Sequence, residues 1–102
     1  MLRKHPSVTR SEFDASLAAS APPEDTPLPL AALWWISNNN WQRAHDLIDQ
    51  APGSDCAWVH AYLHRIEGDE FNARYWYNRA GRDQPDYGLG KEREVLLNAF
   101  LD

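Results

Sequence analysis

A chain of 102 residues has room for one domain with a single core, near the lower end of what folds without staples. Its formal net charge is −5 and its Lys and Arg residues are scattered, which argues against nucleic acid and against a polybasic membrane contact. Cys56 is the only cysteine, so an internal disulfide and a cysteine-rich zinc site are both excluded, and a lone thiol fits a reducing, cytoplasmic setting.

Residues 1–6 carry basic side chains but no apolar segment behind them, so they do not read as a signal peptide. Residues 1–29 read as a Pro-rich, partly ordered N-terminal arm. A short helix over 11–17 pairs Phe13 with Leu17 at i, i+4. Pro22, Pro23, Pro27 and Pro29 then exclude regular helix, and the arm is expected to pack through Phe13, Leu17, Leu28 and Leu30.

Residues 30–102 read as one helical domain. The stretch 30–37 is apolar nearly all round, as for a helix covered on more than one side, and is far shorter than the ~18 residues of a membrane span. Asn38, Asn39 and Asn40 break it and offer caps to a helix over 41–51, whose face is Trp41, Ala44, Leu47, Ile48 and Ala51. Pro52 and Gly53 end that helix, and Ser54 or Asp55 is expected to cap the next, which runs to about residue 67. Gly68 stops it, Asp69 starts a helix over 69–80, and Gly81 takes the place of a terminal glycine. A last helix over 91–101 carries Val95, Leu96, Ala99 and Phe100, with Glu92 and Glu94 placed to suit its dipole. The five tryptophans, each burying on the order of 200 Å², read first as packing, and otherwise as the lining of an aromatic groove.

The pattern repeats. Ala32 and Ala44 are twelve residues apart, as are Ala61 and Ala73, and a shift of 29 residues carries Ala44 to Ala73, Ile48 to Tyr77 and Ala51 to Ala80. Small residues at such points let paired helices approach closely. The second copy resembles a tetratricopeptide motif, with Ala61, the Gly68-Asp69 turn, Ala73, Tyr77, Ala80 and the terminating Pro85 in matching places. Trp58 is one position out of register, and His60 and His64 stand where that motif has apolar or aromatic residues. The run His64, Arg65, Glu67, Gly68, Asp69, Asn72, Ala73, Tyr75, Trp76, Tyr77, Arg79, Ala80, Gly81 is also similar to a group of small helical bacterial and fungal proteins. These resemblances imply an all-α fold: two tetratricopeptide-like hairpins, a C-terminal capping helix and the Pro-rich arm. They transfer no activity.

Chemistry concentrates on one helix. His60, His64 and Glu67, at i, i+4 and i+7, share a side of it, and two histidines one turn apart can chelate Zn²⁺ with His45 or a carboxylate completing the set. There is no Glu directly after His60, so this is not the zinc-hydrolase pattern. His45 with Asp49 makes an i, i+4 acid–base pair, which also arises as a solvated surface pair. Arg65, Glu67, Asp69, Asn72 and Arg79 read either as caps and ion pairs around a turn or as the rim of a polar pocket beside Tyr62 and Trp76. No nucleophile or phosphate-loop motif is present.

The first expectation is therefore a protein- or small-ligand-binding module without a cofactor. Its binding residues would be His60, His64, Glu67, Tyr62, Trp76, Arg65 and Arg79. The alternative is a small metal-binding protein or enzyme using His45, His60, His64 and Glu67. A homodimer through exposed tryptophans stays open at this point.

Overall fold

The computed structural model describes residues 8–101; residues 1–6, on which the expectation about a signal peptide falls, lie outside it. Among the described residues six helices follow in order: α1 (Arg10–Ser16), α2 (Leu28–Ser37), α3 (Trp41–Ile48), α4 (Ser54–Ile66), α5 (Glu70–Ala80) and α6 (Leu89–Phe100). Among the described residues there is no strand, and no helix is long and apolar enough to cross a membrane.

The closest pairings are α4 with α5 and α2 with α3, each pair joined by a short turn, while α6 lies against both α2 and α4. The two turns are copies of each other at the same shift of 29 residues. The amide of Asn40 donates to Trp35 O and that of Asp69 to His64 O, both at 2.9 Å. Asn39 and Gly68 take left-handed backbone at φ 61° and 84°, a conformation that Gly and Asn tolerate best. Asn40 and Asp69 then cap α3 and α5, their side chains accepting the amides of Arg43 and Asn72 at 3.1 Å. Ala32, Ala44, Ala61 and Ala73 are all completely buried, as close helix packing at small residues requires.

Several boundaries differ from the sequence reading. Helix α2 begins at Leu28, two residues early, because Pro29 sits in its first turn, where a missing N–H costs nothing. Leu28 is consequently exposed, while Phe13 and Leu30 are buried and Leu17 is half-buried. Helix α3 ends at Ile48. Neither Ser54 nor Asp55 caps α4; both lie inside its first turn, after Gly53. The arm is tied down: the indole N–H of Trp34 donates to Ser16 at 3.0 Å, and Arg10 makes two bonds to Glu94 of α6 at 2.6 and 3.0 Å.

Glu92 is the largest departure. It sits in the first turn of α6, but it faces inward and is completely buried. Its carboxylate accepts from Arg65 at 2.8 Å, from the Tyr77 hydroxyl at 2.6 and 2.8 Å, and from the Trp58 indole at 3.4 Å. Arg65 also donates to the carbonyl of Tyr87 in the strap between α5 and α6, and the Arg82 guanidinium lies over the Trp58 ring. Burial first, and then the bond to Glu92, push the Tyr77 hydroxyl pKa up, so it stays a donor. One carboxylate thus joins α4, α5 and α6.

Removing a partner from such a buried network leaves charges unpaired. Glu92→Ala is expected to cost about 3 kcal/mol or more in urea unfolding, and Glu92→Gln, which keeps an acceptor, distinctly less. Arg10→Ala, at an exposed pair, is expected to cost under about 1 kcal/mol in the same measurement.

Candidate functional site

Helix α4 is buried without interruption from Cys56 to His64, so whatever it carries must pair inside the protein. His60 and His64 are one turn apart on it and are 1% and 8% exposed. Helix α3 faces them with His45, one turn after Trp41, and α5 adds Trp76. The fold brings together the three imidazoles that the sequence had only proposed as partners.

The Nε2 atoms of His45 and His60 are 3.1 Å apart, one N–H donating to the other's lone pair. One ligand atom from each of His45, His60 and His64 lies within 4.8 Å of the other two. Aromatic rings hold them in place. Trp76 stacks on His60 with centroids 3.9 Å apart, Trp41 on His45 at 4.8 Å, and His60 on His64 at 4.9 Å. Trp41 is itself fixed by its indole N–H, which donates to Leu63 O at 2.7 Å.

Glu67 stands behind His64. It accepts the Nδ1–H of that ring at 2.6 Å, which orients the ring and turns its other nitrogen, Nε2, away from the carboxylate. A carboxylate engaged on Nδ1 orients a ligand, so its place is one shell outside the fourth-ligand position expected from spacing. A second acidic group, His64, Glu67 and Asp69, is equally compact, but Asp69 is committed to its cap. Asp69 accepts the Asn72 amide N–H at 3.1 Å and the Asn72 side-chain N–H at 2.7 Å, and these bonds hold its carboxyl below the usual range.

His60 is held neutral. Burial first, then the neighbouring His45 and His64, push its pKa down to about 4, with Asp49 acting the other way. Its Nδ1 is buried and has no hydrogen-bond partner among the described residues. A neutral, buried imidazole such as that of His60 presents a lone pair, and a divalent ion needs lone pairs. Two nitrogens bound at ~2.05 Å in a tetrahedron stand about 3.3 Å apart, close to the separation of the His45 and His60 nitrogens.

The remaining expected residues divide. Arg65 is committed to Glu92, and buried Tyr62 faces the charges of Arg93 and Glu92 on α6, so neither reaches the imidazoles. Arg79 lies over Trp76, its guanidinium 5.5 Å from the ring centre. Together with Asp49, Ser54, Ala57 and Trp76 it lines a groove of about 460 Å³ at the turn between α3 and α4. Buried Cys56, its thiol pushed up in pKa by burial, offers no thiolate.

Sequence reasoning missed the role of Trp41, although its i, i+4 spacing to His45 was legible. It also missed the burial of Glu92, which stands one turn before the buried Leu96 at i, i+4. None of the five tryptophans is exposed.

No protein-family model matches this chain, and neither does any curated protein or solved structure.

The depressed pKa of His60 sets a direction for stability. An unfolded chain takes up this proton near pH 6.5 and the folded one only near pH 4, so stability is lost as pH falls through that window. The loss is expected to be on the order of 2 kcal/mol for the metal-free protein. Urea titrations at pH 7 and pH 4.5 check it, because His60→Asn should be measurably less sensitive to that change of pH.

Proposed function

We propose that this protein binds a divalent transition-metal ion of the zinc class through His45, His60 and His64. The observation that carries the reading is the convergence of three imidazoles from two helices, their ligand atoms within 4.8 Å of one another. An all-imidazole donor set suits Zn²⁺, Co²⁺, Ni²⁺ or Cu²⁺ and has little affinity for Mg²⁺ or Ca²⁺. Glu67 supplies the carboxylate that orients His64, and the two flanking tryptophans exclude water and clamp the rings.

We read the two helix pairs as tetratricopeptide-like repeats. Support comes from the repeated turn bonds and from the four buried alanines. In such repeats a peptide would lie along the face made by the first helix of each pair. Here α6 packs against both α2 and α4, with Leu96 and Leu97 completely buried, so the protein's own C-terminal helix occupies that face. This weighs against peptide capture and favours a small inorganic ligand.

Zinc titration watched by tryptophan fluorescence tests the proposal, since Trp41 and Trp76 both touch the cluster. Saturation at one equivalent is expected, and zinc at a hundredfold excess over Kd is expected to raise Tm by about 10 °C. His60→Ala and His64→Ala should each abolish the response, whereas Arg65→Lys should keep it. A wild-type protein whose fluorescence and Tm ignore zinc would refute the reading.

A further inference from the structure

Three imidazoles leave a fourth position on a tetrahedral ion, and what fills it separates a closed binding site from an open, reactive one. Glu67 is committed to the far nitrogen of His64 and Asp69 to its helix cap. Asp49 remains. It directly follows α3, and its Oδ1 lies 3.9 Å from Nε2 of His45.

Its own surroundings do not explain it. A carboxylate at the C-terminal end of a helix meets the negative end of the dipole, so the position is unfavourable without a cation. Among the described residues its only polar contact is His45. Its side chain is half-exposed and lines the groove beside Trp76 and Arg79, so it is both free to turn and open to solvent. The tetrahedral N–O edge for ordinary zinc bonds is about 3.4 Å, half an ångström or so less than the present separation. A side-chain rotation that brings this carboxylate up to His45 also has to carry it toward His60 and His64, since it stands outside the set of ligand atoms already within 4.8 Å of one another.

We propose that Asp49 is the fourth ligand, closing a His45/His60/His64/Asp49 site that takes up its ion through the groove. The inference rests on the metal reading above. It makes the site a holder of zinc-class ions with no coordination position left for a substrate.

Co²⁺ is the probe, because its visible ligand-field band reports both coordination number and exchangeable ligands. In the wild-type protein the band should be intense, four-coordinate and unmoved by azide. Asp49→Ala and Asp49→Asn, checked for wild-type helical circular dichroism, should bind Co²⁺ about tenfold or more weakly. Azide should then shift the band of Asp49→Ala, because that variant opens a position. A wild-type band that azide shifts, with Asp49→Ala binding Co²⁺ as tightly as wild type, overturns the assignment of Asp49 and leaves the three-histidine site standing. No Co²⁺ band at all in the wild-type protein overturns the metal reading and this inference together.

Discussion

The burial of α4 on every side is the constraint from which the rest follows. Nine consecutive residues, Cys56 to His64, are out of solvent, and a helix surrounded in this way cannot leave a polar side chain to water. Its two polar flanks turn to neighbours in opposite directions. On one, Trp58 and Arg65 reach the carboxylate of Glu92, which belongs to α6. On the other, His60 and His64 meet His45 of α3 beneath the rings of Trp41 and Trp76.

The two solutions differ in kind. The Glu92 network is complete, with an anion, a cation, a phenol and an indole all paired, and a network of that sort fixes how three helices sit together. The imidazole cluster is incomplete. One hydrogen is shared between the Nε2 atoms of His45 and His60, Nδ1 of His60 has no partner among the described residues, and the bond from His64 to Glu67 uses only its Nδ1. Buried polar groups left short of partners are costly, and a cation that accepts several lone pairs at once offsets that cost. For this reason the second cluster, and not the first, is the place where a ligand is proposed.

The surface that remains is limited by how the ends are closed. Helix α6 lies over α2 and α4, and α1 is anchored to it by Arg10 and Glu94 and to α2 by Ser16 and Trp34. A groove at the α3–α4 turn is lined by Trp76, which stacks on His60, by Asp49, which lies beside His45, and by Arg79.

Local signals in the sequence determined the helices, their turns and the alanine register. Apolar spacing, the Asn38–Asn40 and Gly68-Asp69 breaks, and the recurrence of Ala44 at Ala73 all act within a few residues or at one fixed interval. The i, i+4, i+7 spacing likewise placed His60, His64 and Glu67 on one side of α4 before any packing was known. Helix spacing says nothing about which neighbour that side meets. Only the tertiary structure decided that His45 and Trp76 would be there, that Arg65 would turn away to Glu92, and that Glu67 would sit behind His64. Those outcomes depend on how α3, α5 and α6 are placed around one buried helix, and that placement is set by side-chain volume and polar pairing summed over the whole core.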